Sequence, residues 1–231
     1  KGITYAPTPI GQSPDKGTLK NWMEFDPNPA FYAFMDRNLN NKQDSNEPNV
    51  GDFALMKEMG VNTLRIYHHP MKLNKELLRK MYQEYGFRVL MGDYIGKYAI
   101  GSGTTWSEGT DYENPKHQQA MMDSVKQMVM EYKDEPYVLM WLLGNENNYG
   151  VASNADKKPD AYLKFVNKVA KMIKSIDPNH PVAICNGDTL FLDKFGKLAS
   201  DVDAYGANVY RGDYGFGSFW QQVAEAADKP A

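Results

Sequence analysis

The chain has 231 residues, 42% hydrophobic and 24% charged, with a formal net charge of -3, the profile of a globular domain long enough to bury one core of useful size. The acidic balance argues against nucleic acid or an anionic membrane surface as partner, and no apolar run approaches the ~18 residues of a membrane span. Cys185 stands alone, which excludes an internal disulfide and a cysteine metal cluster.

Strand-like runs alternate with helical patterns along the chain. The sequence opens on Lys1 rather than Met, so a processed or excised segment is expected. Gly2–Ala6 reads as a first strand, stopped by Pro7 and Pro9. Val50–Met59 reads as a helix with Phe53, Leu55, Met56 and Met59 inward, closed by Gly60. Val61–Tyr67 is β-branched and strand-like; Lys75–Tyr85 is a helix ended by Gly86; Phe87–Met91 is a strand. A long helix over Pro115–Tyr132 starts at Asn114, with Pro at its first position. Tyr137–Leu143 is an almost wholly apolar strand, as burial on both faces requires. Helices over Pro159–Ile176, Thr189–Leu198 and Gly217–Ala227 alternate with strands over Pro181–Cys185 and Val202–Tyr210.

Strand then helix, six times over, means parallel strands joined by helical crossovers. Two α/β architectures compete, an open doubly wound sheet and a (β/α)8 TIM barrel. Neither a dinucleotide fingerprint nor a phosphate-binding glycine loop follows the first strand, which favours the barrel. Only six strand–helix units are visible where a barrel has eight, at ~250 residues. Residues 1–231 are therefore expected to be one catalytic barrel that stops before strand seven, with Pro230-Ala231 opening that strand; the same boundary could end a smaller domain.

In parallel α/β folds chemistry collects at the carboxyl ends of the strands. Those ends carry Arg65, Tyr67, His68 and His69; Asp93 and Tyr94; Asn145, Glu146, Asn147 and Asn148; Asn186 and Asp188; Asn208, Tyr210 and Arg211. Each could be a solvated loop residue, but five such sets on one rim make a polar, aromatic cleft. Glu146 is the sharpest. An apolar strand delivers it to the rim, Gly144 lets the backbone turn, and partial desolvation would suit a general acid. It could equally be the first exposed residue after a strand. Trp106, in a Gly/Ser/Thr-rich loop, and Trp220 could stack on sugar rings or pin their loops. Lys97 is the one lysine near a strand end, a weak basis for Schiff-base chemistry.

Residues 36–47 match a calcium-loop template. Asp36, Asn38, Asn40 and Asp44 supply oxygens at positions 1, 3, 5 and 9, Lys42 a backbone carbonyl at position 7, and Glu47 a carboxylate at position 12. Asn41 replaces the usual Gly at position 6 and tolerates positive φ. Hard oxygen donors point to structural Ca²⁺ rather than a transition metal, which suits a secreted, periplasmic or cell-surface protein. A polar Asn-rich loop that fits by chance is the alternative.

Gly144-Asn145-Glu146 after an apolar, Trp-containing strand resembles the strand-four signature of the clan A retaining glycoside hydrolases, whose catalytic Glu residues lie on strands four and seven. Gly60-Val61-Asn62-Thr63-Leu64-Arg65 and Asp203–Tyr210 resemble strands two and six of family 2 catalytic barrels, and the order of elements is also similar to β-1,3-glucanosyltransferase barrels. The resemblance implies hydrolysis of a β-linked glycoside with retention. Glu146 would be the acid/base, Asn145 would bind the sugar 2-hydroxyl, and Arg65 and Tyr210 would support the nucleophile. His68 and Asp93 would line the substrate site. The nucleophile is expected beyond residue 231, since no Glu of this chain fits it. A carbohydrate-binding barrel without turnover, or a transferase with a sugar acceptor, is the alternative. No organic cofactor is implied, and nothing in the sequence indicates an oligomeric state.

Overall fold

A computed structural model describes residues 1–5, 16, 27–67, 73–212 and 215–231. Six strands and seven helices occur among them: β1 (Gly2–Thr4), α1 (Pro27–Tyr32), α2 (Asp52–Glu58), β2 (Thr63–Ile66), α3 (Lys75–Tyr85), β3 (Arg88–Asp93), α4 (Pro115–Tyr132), β4 (Val138–Leu143), α5 (Pro159–Ile176), β5 (Val182–Gly187), α6 (Leu192–Leu198), β6 (Ala204–Asn208) and α7 (Phe219–Ala227). The strands follow one another in a single sheet in the order β1-β2-β3-β4-β5-β6, and the pairs β1–β2, β4–β5 and β5–β6 are parallel. A doubly wound sheet reverses its order at a switch point; this sheet never does. The fold is therefore six strand–helix units of a (β/α)8 barrel.

The helices start and stop where their ends can be satisfied. Asn74 caps α3 by accepting a hydrogen bond from Leu77 N, and Gly86 ends it in the left-handed region. Asn114 caps α4 through Lys116 N, with Pro115 at the first position. α2 is shorter than its hydrophobic pattern suggests. Phe53 and Met56 are buried, whereas Met59 falls just past the last turn and is exposed. α1 was not anticipated, and the expected end of the first strand at Ala6 lies outside the described residues.

The chain divides into two compact units, Lys1–Leu90 with Glu135–Val138, and Met91–Asp134 with Leu139–Ala231. In the first, Phe53 is the hub of an aromatic core, packing against Tyr5, Phe31, Tyr85 and Phe87 at centroid distances of 5.2–6.0 Å. Arg79 grips the buried Glu135 with two hydrogen bonds of 2.8 and 2.6 Å, and Lys75 adds a third contact at 3.2 Å.

In the second unit β4 and β5 form the core. Every residue of β5 is buried, which is why its sequence shows no alternation. Trp141 of β4 is fully buried, and its indole N–H donates to Asp177 Oδ2 at 2.9 Å. Burial pushes the Asp177 carboxyl up, but contacts with His180, Trp141 and Asn179 N outweigh it and hold it below the ordinary range. After α7 the chain returns to the sheet. The Tyr205 N–H of β6 donates to Pro230 O at 2.8 Å, the bond a seventh parallel strand would make, although no strand is formed at 230–231. No helix among the described residues is long and apolar enough to cross a membrane.

Candidate active site

The second unit assembles its polar rim around Glu146. β4 ends at Leu143, and Gly144 turns the chain with a φ of 74°. A side chain there would place its Cβ 2.5 Å from Asn147 Oδ1, so glycine is required by space as well as by backbone. Glu146 is itself left-handed, at φ 57° and ψ 34°, a conformation costing a non-glycine residue roughly 1–2 kcal/mol. It is held there by its backbone N–H, which donates to Cys185 O at 2.8 Å, so β5 fixes the turn after β4.

The Glu146 carboxylate is 25% exposed and approached from two sides. Asn208 Nδ2 donates to Glu146 Oε1 at 2.9 Å and also to Asn145 Oδ1 at 3.0 Å. Lys97, only 2% exposed, places its ammonium 3.5 Å from Oε2. Asn208 reaches Glu146 because β6 aligns Asn208 with Gly187 of β5. Gly187 is dictated by its surroundings, since a Cβ there would fall 1.9 Å from the Tyr149 ring. Burial, then the carboxylates of Glu146 and Asp188, push the Tyr149 hydroxyl above its ordinary range. Arg211 forks onto Asp188, with Nε 2.9 Å from Oδ2, and this pairing holds the Asp188 carboxyl low.

Two buried amides brace the rim. Asn147 accepts from Asn145 N at 2.9 Å and donates to Tyr94 O, Ile95 O and Tyr112 Oη at 2.9–3.1 Å. Asn148 donates to Gly187 O at 2.9 Å and accepts from Gly187 N at 2.8 Å. The loop after β3 that delivers Lys97 is contorted, with Ile95, Gly96, Tyr98 and Ala99 all at positive φ. It is anchored by Asn147 and by Tyr112 Oη, which donates to Ile95 O at 2.7 Å.

The expected site residues fare differently. Glu146 and Asn145 come together, joined by Asn208. Trp106 stacks on Tyr98, the neighbour of Lys97. Asp93 is 3% exposed; its Oδ1 accepts from Ile95 N at 2.7 Å and its Oδ2 from Ser124 Oγ at 2.9 Å, so it braces the loop after β3. Tyr210 leaves β6 and is 91% exposed, and Trp220 is exposed against Phe219 of its own helix. Arg65 belongs to the first unit, where its guanidinium lies 4.3 Å from the Tyr67 ring centroid. His68 lies outside the described residues. Lys97, Asn147 and Asn208 are the residues the sequence underplayed. The Asn-Glu-Asn-Asn run was a signal for Asn147; Lys97 was marked only by its place near a strand end, not as a partner of Glu146.

In the first unit, the 36–47 loop curls back on itself. Asn41 adopts φ 63°. Asp36 accepts from Asn40 N and Asn41 N at 3.2 and 2.8 Å. Glu47 reaches back across the loop to accept from Arg37 N at 2.7 Å and Asp44 N at 2.9 Å. Asn38 and Asn40 turn their amide nitrogens to Asp44 Oδ2, and the Asn40 oxygen accepts from Lys42 N. Among the described residues no group of three or more His, Cys, Asp or Glu side chains is placed to hold a metal ion. Asp36, Asp44 and Glu47 are the only carboxylates of this loop, so amide oxygens and a backbone carbonyl would have to complete any cation shell.

Comparison with known proteins gives a family model over most of the chain and partial resemblances to several glycosidases. The chain is 32% identical over 165 residues to mannan endo-1,4-beta-mannosidase F of Aspergillus clavatus, a match covering 61% of this chain and 35% of that protein. Among solved structures, it resembles a beta-D-glucuronidase of Dictyoglomus thermophilum at a TM-score of 0.56 and 20% identity, over 78% of this chain and 30% of that one. A Bacteroides uniformis beta-glucuronidase matches at 0.53 and 23%, over 75% of this chain and 20% of that one. The chain thus spans about a third of the curated relative's length. The family model of the glycosyl hydrolases family 2 TIM barrel domain matches residues 37–229, and the chain belongs to that family.

Proposed function

We propose that this domain carries the acid/base half of a retaining glycosidase acting on a β-linked glycoside or polysaccharide. The carrying observation is the Glu146 carboxylate at the end of β4, with Asn208 on one oxygen and Lys97 at the other. Glu146 protonates the leaving glycosidic oxygen while a second carboxylate attacks the anomeric carbon, so that the glycosidic C–O bond breaks and a glycosyl ester forms. Glu146 then takes a proton from water or a sugar hydroxyl, whose oxygen attacks the anomeric carbon and releases the ester. The attacking carboxylate is expected on a strand following α7, ~5–5.5 Å from Glu146; the Tyr205–Pro230 bond marks where that strand would pair. Asn145, tied to the same Asn208, binds the 2-hydroxyl. Tyr210 and Trp220 are further candidates for substrate contact by their places after β6.

The test is stereochemical. In the enzyme carrying this domain, proton NMR of a β-mannoside or β-glucuronide digest should show the β-anomer of the released sugar first, with the α-anomer growing in by mutarotation. An α-anomer formed first would mean single displacement and overturn the reading. Accumulation of longer sugars would identify a sugar acceptor in place of water.

We further propose that the 36–47 loop binds Ca²⁺ as a structural clip. What supports it is the left-handed Asn41 and the return of Glu47 to the head of the loop. A cation shell completed by amide oxygens and a backbone carbonyl suits a weak site of the extracellular class, ~10⁻⁴–10⁻³ M, and a secreted, periplasmic or cell-surface protein. Ca²⁺ at about a hundred times its Kd should add ~2.7 kcal/mol of stability, seen as a rise in Tm that EDTA reverses and Glu47→Gln abolishes. A Tm indifferent to Ca²⁺ and EDTA would dismiss the clip.

A further inference from the structure

We infer that Trp106 forms a distal subsite on the leaving-group side, taking a pyranose ring of an oligosaccharide chain; this rests on the acid/base reading of Glu146. A stack of groups leads outward from that carboxylate. The Lys97 ammonium lies 3.5 Å from Glu146 Oε2 and 5.0 Å from the centroid of the Tyr98 ring. Tyr98 in turn stacks on Trp106, with centroids 5.3 Å apart and planes within 12°. Lys97 and Trp106 both pack on the Tyr98 ring, which is 37% exposed; Trp106 is 60% exposed and has the freer surface. A flat, electron-rich aromatic face in water is what the C–H face of a pyranose packs against.

The ring is presented by a braced turn. Glu108 Oε2 accepts from Thr104 Oγ1 at 2.9 Å, Thr105 N at 3.2 Å and Thr105 Oγ1 at 2.9 Å, and Gly109 N donates to Thr105 O at 2.9 Å. Those contacts close the turn without help from the indole, so holding the loop does not account for Trp106. Tyr98 backs it from a left-handed backbone at φ 56°, a rare conformation for a bulky residue; its N–H donates to Val151 O at 3.2 Å.

The contacts at the two carboxylate oxygens assign the side. Asn145, given the glycone 2-hydroxyl in the proposed reading, shares Asn208 with Glu146 Oε1, while Lys97 and the aromatic stack begin at Oε2. Lys97 and Tyr98 both intervene between Glu146 and Trp106, which assigns Trp106 to a sugar beyond the first on the leaving-group side. The domain would then favour internal bonds of a chain over terminal ones.

The test titrates the 231-residue chain with β-1,4-linked manno- and cello-oligosaccharides of one to five sugars, by calorimetry. Affinity should rise with length in the wild type. Trp106→Ala should weaken the pentaose about tenfold and leave the monosaccharide unchanged, and Trp106→Phe should retain most of the gain. Glu108→Gln, which loosens the turn without touching the indole, should lose part of it. A wild type with no gain on lengthening, or a folded Trp106→Ala with the wild-type length profile, overturns the subsite. Equal weakening of mono- and pentasaccharide also overturns it, by making Trp106 a loop support. In the parent enzyme, Trp106→Ala should move cleavage of end-labelled pentaose toward the reducing end. The stereochemical test above is independent of all these outcomes.

Discussion

Glu146→Ala is expected to slow hydrolysis of unactivated β-glycosides by about 10²–10⁴, the usual worth of a positioned general acid. The loss should depend on the leaving group. A sugar alkoxide needs a proton as it departs, whereas dinitrophenolate leaves without one. Formation of the glycosyl ester from a dinitrophenyl glycoside should therefore stay near its wild-type rate, and the slow step becomes attack by water, which has lost its base. Azide needs no base. Adding it should restore turnover on the activated substrate and yield a glycosyl azide of retained configuration. A uniform loss over all leaving groups, with no response to azide, would mean that Glu146 supports the site rather than transferring protons. Structurally the prediction rests on how Glu146 is held: Asn208 and Lys97 address its two oxygens, and β5 fixes its backbone through Cys185 O.

Asn147→Ala is expected to give the largest loss of stability. The Asn147 side chain is wholly buried and makes four hydrogen bonds, to Asn145 N, Tyr94 O, Ile95 O and Tyr112 Oη. Truncation removes all four at once. With each deserted buried polar group costing about 1–3 kcal/mol, a total of roughly 3–5 kcal/mol is reasonable after relaxation. For a domain of this size that is a fall in Tm of about 10 °C. Activity should fall further than stability explains, because Asn147 joins the loop carrying Lys97 to the turn carrying Glu146. Thermal unfolding by circular dichroism and turnover measured well below Tm would separate the two effects. A variant within 1–2 °C of wild type would show that water replaces the amide.

Most of the fold was legible because its elements punctuate themselves; α1 was the exception. Asn114-Pro115 and Gly86 mark helix ends that the structure reproduces, and the apolar run ending at Leu143 marks a strand buried in the core. Glu146 was singled out for the same reason, as the first carboxylate after that strand. That Asn208 and Lys97 would be its partners was not legible, because contacts between distant segments leave no local pattern. Asn208 reaches Glu146 across 62 positions and Lys97 across 49. Asp93 makes the same point. Its place at a strand end suggested a lining of the substrate site, and the fold adds contacts that no local pattern shows, from the backbone two residues on and from Ser124 of α4. Tyr210 shows the converse, since β6 ends at Asn208 and the tyrosine is carried out into solvent.

The left-handed backbone of Glu146 bears on how sequences of this domain drift. At φ 57° a glutamate works against its own conformational preference, while Gly or Asn would sit there with less strain. Either replacement would relax the backbone, but it would also leave the buried Lys97 ammonium without its carboxylate, a cost that exceeds the strain relieved. On the proposed reading, chains released from catalytic selection should therefore accumulate paired changes, Gly or Asn at position 146 together with loss of the charge at position 97. A domain that has kept only a binding role would carry that mark while its asparagine braces and aromatic core remain intact.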